Sequence, residues 1–253
     1  MRLSNIAAIV TGGASGLGGA TASLLARSGA KVAIFDVNAE AGASHAVSLG
    51  GVFVEVDVTD ESSVENALAQ AQEAHGVARL LINCAGVAPA IKTVGKGAIA
   101  HSLTAFRKAV EVNLIGTFNV ASKFAARLSE ADVDGEERGV IVNTASVAAY
   151  DGQIGQVAYA ASKGGVVGMT LPMARDLATY KIRVMTIAPG IFLTPMLLGL
   201  PQAAQDSLGA QVPHPSRLGR PEEFAQMVES IVANPMLNGE VIRLDGAIRM
   251  GPR

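Results

Sequence analysis

Ile6-Ala7-Ala8-Ile9-Val10-Thr11-Gly12-Gly13-Ala14-Ser15-Gly16-Leu17-Gly18 decides the fold class of this chain. Its first five residues are continuously apolar, the pattern of a strand buried on both faces of a parallel sheet. Glycines follow at 12, 16 and 18, and a helix-like segment then runs to about Ser28. Glycines between a strand and a helix let the backbone turn tightly and approach a pyrophosphate, which the free amides of the helix N-terminus attract. The spacing Gly-x-x-x-Gly-x-Gly is not the commoner Gly-x-Gly-x-x-Gly, so the run alone also reads as an ordinary glycine-rich turn.

Working outward, Lys31-Val32-Ala33-Ile34-Phe35 reads as a second strand ending at Asp36, eighteen residues beyond Gly18. Dinucleotide-binding folds place an acid there to accept hydrogen bonds from the adenosine ribose. A carboxylate would repel a 2′-phosphate, and Ser15 is not the basic residue that greets one, so the pattern favours NAD over NADP. The plainer reading makes Asp36 a turn residue. Residues 39–49 are helix-like, Gly51–Val56 is a third strand, and Asp57-Val58 follow. Asp57 serves equally well as an adenine-side contact or as the cap of the helix near Asp60. Arg79–Ile82 forms a fourth strand before Asn83-Cys84-Ala85-Gly86, whose small residues permit close cofactor approach while Asn83 ties strand ends together. Cys84 reads as a packing residue, since no neighbouring histidine or lysine would activate it.

The connection 87–101 is long and should lie at the carboxyl ends of the strands, where open α/β sheets bind ligands. A helix from about 103 to 129 contains Asn113, and a fifth strand, Gly139–Ala145, delivers Ser146. A helix over 157–178, a sixth strand over Lys181–Ile187, the turn Pro189-Gly190, an apolar cover at 195–216, a helix from Pro221 and a strand over Glu240–Asp245 complete the chain. This alternation predicts one α/β domain over 1–253, a Rossmann-type, doubly wound parallel sheet of about seven strands.

On the 157–178 helix, Tyr159 and Lys163 are four residues apart and share a face. A fixed ammonium near a phenol favours the phenolate, so the tyrosine could trade protons with an alcohol or carbonyl whose oxygen Ser146 also binds. Tyrosine–lysine pairs at this spacing are common on solvated helix faces, and the weight of the pair comes from what precedes it.

Composition closes off several other functions. A net charge of −2 with no basic run offers no footprint for nucleic acid. No apolar run reaches the ~18 residues of a membrane span, and the four histidines lack partners at metal-site spacing. No metal, nucleic acid or membrane partner is expected. One cysteine excludes an internal disulfide and fits a reducing compartment.

Thr11-Gly12-x-x-x-Gly16-x-Gly18, Asn83-Cys84-Ala85-Gly86, Asn113, Ser146, Tyr159-x-x-x-Lys163 and Pro189-Gly190 resemble, over essentially the whole chain, the classical short-chain dehydrogenases/reductases. Cys84 departs from the family's usual second asparagine. Segments 143–149, 211–213, 215–219 and 237–250, with Cys84 and the 87–101 connection, are similar to the branch acting on 3-hydroxyacyl-CoA thioesters. The resemblance implies that Tyr159 donates and accepts the proton, Lys163 binds the nicotinamide ribose and lowers the Tyr159 pKa, Ser146 holds the substrate oxygen, and Asn113 supports a relay water. It implies NAD contacts from Ser15, Leu17, Asp36, Asp57, Val58, Cys84, Phe192 and Thr194 and a substrate contact from Gln153. Tyr150 and His214 stand where that branch carries phenylalanine, and both could line the acyl pocket. The expected enzyme interconverts a secondary alcohol and a ketone with NAD, is cytoplasmic because the first strand begins almost at Met1, and forms a homotetramer through its two long helices. A hydroxysteroid dehydrogenase and, from another class, a subunit of an RNA-processing complex are the alternatives.

Overall fold

The computed structural model describes residues 1–199 and 201–252, and of Met196 the backbone alone; Leu200, in the expected cover, and Arg253 lie outside the described residues. Strands β1 (Ala7–Thr11), β2 (Lys31–Asp36), β3 (Val52–Glu55), β4 (Ala78–Asn83), β5 (Gly139–Thr144), β6 (Ile182–Pro189) and β7 (Val241–Leu244) alternate with helices. They form one seven-stranded sheet in the order β3-β2-β1-β4-β5-β6-β7, with every pair parallel. The chain runs outward from β1 to β3, returns to place β4 on the other side of β1, and runs outward again. The β1/β4 boundary is therefore the switch point at which a crevice opens at the strand ends.

Alternate strand residues face opposite sides of a sheet, so a strand covered on both faces must be apolar throughout. On one face Val10, Ile34, Ile82 and Val142 pack against Leu25 of α1 (Gly16–Arg27) and Phe224 of α9 (Pro221–Ala233). On the other, Ile9, Phe35, Leu81 and Ile141 meet Leu68 of α3 (Glu61–His75), Phe124 of α5 (Gly116–Ser129) and Met173 of α6 (Val157–Leu177). The run-on hydrophobicity of β1 is thus shared between two cores.

Helix starts follow side-chain chemistry. Asn38 caps α2 (Ala39–Leu49) by accepting from the Ala41 amide at 3.1 Å, and Asp60 caps α3 by accepting from the Ser63 amide at 2.6 Å. Asp57 is therefore not the cap. The expected 103–129 helix is α4 (Leu103–Val110) and α5, joined through a π turn over Glu111–Ile115 that carries Asn113. The 195–216 cover contains two short helices, α7 (Pro195–Leu198) and α8 (Gln202–Gly209).

Candidate active site

The β1–α1 turn is shaped by its glycines. Gly12 and Gly16 have φ of 63° and 57°, in the left-handed region, and a Cβ on Gly18 would stand 2.2 Å from the Gly12 carbonyl oxygen. Ser15 takes the N-cap position of α1 with an extended backbone and no side-chain cap. The first helical hydrogen bond runs from the Gly19 amide to the Ser15 carbonyl, so the amides before it are available to an anion.

Around this turn lies a cleft of about 660 Å³. Ser15, Leu17, Asp36, Asp57, Val58, Cys84, Ala85, Gly86, Thr194, Tyr159 and Lys163 line it together with the three motif glycines. Asp36 accepts from the Ala14 amide through Oδ2 at 3.1 Å and from the Asn38 amide through Oδ1 at 3.0 Å. Each oxygen keeps a lone pair for a ribose hydroxyl. Asp57 accepts from the amide and hydroxyl of Thr59 at 2.9 and 2.7 Å, an Asx turn that leaves it on the cleft wall. At the switch point Asn83 donates to Asn143 at 3.0 Å, and the Thr11 hydroxyl accepts from the Cys84 and Ala85 amides at 3.2 Å. Burial pushes the Cys84 thiol up to about 11, outweighing its hydrogen bond to Thr144 and the nearby Lys163 charge. It is an inert wall residue. An open helix N-terminus, an acid at the end of β2 and glycine-floored walls fit a dinucleotide.

The reacting groups meet where β5, α6 and the π turn converge. Ser146 follows β5, with its Oγ held by the Ala148 amide at 3.1 Å, and it lies close enough to the phenol of Tyr159 to draw its pKa down. Lys163 donates to the Thr144 carbonyl at 2.7 Å, and its Nζ stands 6.0 Å from the centre of the Tyr159 ring. Burial lowers the Lys163 pKa to about 8. One expectation needs correction: the Tyr159 pKa is raised, not lowered. Desolvation dominates, the nearby Ser146 side chain opposes it, and Lys163 spends its shortest interaction on Thr144.

Asn113 fixes the cleft wall through its side chain. Its Oδ1 accepts from the Val87 amide at 2.8 Å, and its Nδ2 donates to the Val87 carbonyl and Ser162 hydroxyl, each at 2.9 Å. The buried amide is thus spent on fixing Val87, on the cleft wall, against α6. A π turn at such a place is common at functional sites.

Phe192 and Gln153 do not line the cleft. The Phe192 ring is buried against Gly219 and borders a separate cavity of about 380 Å³ that holds none of the reacting residues. Gln153 borders a third cavity of about 330 Å³ with Lys92 and Val157, and its Nε2 donates to the Gly251 carbonyl at 3.2 Å. Sequence reading missed the Thr144 carbonyl and the Thr11 hydroxyl. A backbone acceptor leaves no mark in a sequence, whereas a threonine closing an aliphatic strand was a usable signal.

Residues 6–204 match the short chain dehydrogenase family model. The chain is 53% identical to 3-hydroxyacyl-CoA dehydrogenase type-2 of Homo sapiens over 251 residues, covering 98% of this chain and 96% of that protein. It is 52% identical to the Drosophila melanogaster enzyme of that name, covering 99% of this chain and 100% of the other. The crystal structure of 3-hydroxyacyl-CoA dehydrogenase type-2 from Mycobacterium avium superposes with a TM-score of 0.93 at 42% identity, over 100% of both chains. With the glycine turn, the cleft and the Ser146–Tyr159–Lys163 cluster in place, the chain belongs to the short-chain dehydrogenase family and is an oxidoreductase.

Proposed function

We propose that the protein uses NAD to interconvert the 3-hydroxyl of a short or branched 3-hydroxyacyl-CoA and the corresponding ketone. The observation that carries the reading is the convergence of Tyr159 and Lys163 on the wall of a dinucleotide-sized cleft, with Ser146 at the end of β5 close to the Tyr159 phenol. Similarity across 98% of the chain to proteins named for this activity supplies the substrate class. Bound NAD supplies the hydride acceptor. Tyr159 takes the hydroxyl proton in oxidation and returns it in reduction, and Ser146 donates to the substrate oxygen as its charge changes. Lys163, held by the Thr144 carbonyl, presents a cation beside Tyr159.

The test is NADH formation at 340 nm with 3-hydroxybutyryl-CoA, 2-methyl-3-hydroxybutyryl-CoA and a 17β-hydroxysteroid, with NADP in parallel. Turnover of a thioester with NAD is expected, and turnover of the steroid alone would move the substrate. NAD preference rests on Asp36. Replacing it by alanine removes charge-assisted hydrogen bonds worth roughly 1.5–3 kcal/mol, so the KM for NAD should rise on the order of 10- to 100-fold while NADP improves. An unchanged NAD/NADP ratio would refute that role.

Exposed apolar side chains on the long helices, Phe118 at 52% and Leu171 at 44%, support the homotetramer. A monomer mass by light scattering would contradict it. The single thiol, half-buried on the cleft wall, is compatible with a reducing cytoplasm.

A further inference from the structure

β7 is aliphatic except for Arg243. Its guanidinium, 22% exposed, is paired on several sides. Nε donates to Asp245 Oδ2 at 2.8 Å, and Nη2 donates to Asp151 Oδ2 at 2.6 Å and to the Ile248 carbonyl at 3.0 Å. Its Cζ lies 5.3 Å from the centre of the Tyr150 ring, close enough for a cation–π contact. Taking a charge out of water costs several kcal/mol before pairing, and aliphatic side chains suit such a strand better. The charge is explained by what it joins.

It joins three segments at the strand ends. Tyr150 and Asp151 belong to the connection that leads from Ser146 to the helix of Tyr159. Asp245 packs on Gly190, where a Cβ would come within 2.9 Å of the Asp245 Cα, and the neighbouring Pro189 lines the cleft. Ile248 begins a stretch whose Gly251 carbonyl accepts from Gln153 Nε2 and whose Pro252 carbonyl accepts from the Ile154 amide at 3.0 Å. The Ser146-to-Tyr159 connection is thereby held at 151, 153 and 154.

We propose that Arg243 is a positioning residue: through Asp151 it holds this connection so that the Ser146 hydroxyl faces the Tyr159 phenol and receives a substrate oxygen with it. The proposal rests on Ser146 and Tyr159 as the reacting pair, not on the acyl group. Neither Arg243 nor Asp151 touches the cleft, so the effect is on alignment and leaves the dinucleotide walls alone.

The test compares wild type with Arg243→Met, Arg243→Lys, Asp151→Asn and the Arg243→Met/Asp151→Asn double variant. It reads kcat and KM for the alcohol, KM for NAD, and hydrogen exchange of the amides of residues 147–156. Arg243→Met and Asp151→Asn should each lower kcat/KM for the alcohol at least tenfold, mostly in kcat, with the KM for NAD within twofold. The double variant should be no worse than the worse single one, because both break one contact. Arg243→Lys should recover part of the loss, and 147–156 should exchange at least tenfold faster in Arg243→Met. A folded single variant with wild-type kinetics, multiplying losses, a KM for NAD rising in step, or unchanged exchange would each overturn the proposal. If one variant does not fold, the other carries the comparison. Wild-type silence on thioesters would count against the substrate reading alone, since the kinetics can use any secondary alcohol the enzyme oxidises and the exchange arm needs none.

Discussion

Replacing Tyr159 by phenylalanine is expected to lower kcat at least ~100-fold in both directions, the usual scale for a positioned acid or base. The ring and its packing survive, so the KM for NAD should stay within a few-fold and the melting temperature should hold. The phenol is partly buried, and desolvation, only partly offset by the nearby Ser146, pushes its pKa above the ordinary 10. At neutral pH the resting free enzyme therefore holds a protonated acid, ready for ketone reduction. Alcohol oxidation needs the phenolate and should gain as pH rises, whereas reduction should stay flat through neutrality. Steady-state rates in both directions from pH 6 to 10 check the sign. A variant that keeps more than a tenth of wild-type kcat would remove Tyr159 from the reaction.

The parts of the site legible in the sequence are those whose chemistry is local. Gly12, Gly16 and Gly18 announce a turn because their backbone conformations and close approaches exclude a Cβ. Asp36 is legible because it closes an apolar strand at a fixed distance from that turn. The Tyr159–Lys163 spacing places two groups on one helical face wherever the helix lies. What stayed hidden depends on contacts between distant segments. Asn113 reaches Val87 because a π turn rotates it inward, and nothing in Val110–Ile115 marks that turn. The side chains of Phe192 and Gln153 face away from the cleft because Gly219 and Gly251, far along the chain, receive them. The direction of the Tyr159 shift is hidden for the same reason, since it is set by the burial of the phenol, while a carbonyl nineteen residues before Lys163 accepts the ammonium's hydrogen bond.

Lys163→Met should separate stability from activity. The wild-type ammonium is buried, and its pKa falls from the ordinary 10.5 to about 8 through desolvation. Below pH 8 both folded and unfolded states hold the proton, and the fold bears the whole cost of burying the charge, about 3 kcal/mol at 1.36 kcal/mol per pKa unit. Between pH 8 and 10.5 the unfolded chain holds more protons than the folded one, so wild-type stability should rise with pH across that window. Methionine fills the space without the charge but leaves the Thr144 carbonyl without its donor, which costs ~1–3 kcal/mol. The balance is a gain of about 1 kcal/mol at pH 7, a rise in Tm of about 2–4 °C for a chain of this size. The variant should also lose the upward slope of stability from pH 8 to 10.5. Its kcat should fall at least ~100-fold, because the cation beside Tyr159 and the cleft is gone. Thermal unfolding of both proteins at pH 7 and pH 9.5, alongside turnover, measures each part. A variant that is less stable than wild type by several degrees at both pH values would show that the Thr144 hydrogen bond outweighs the buried charge. A more stable, inactive variant would show that the fold tolerates a costly ammonium at this position because the reaction uses it.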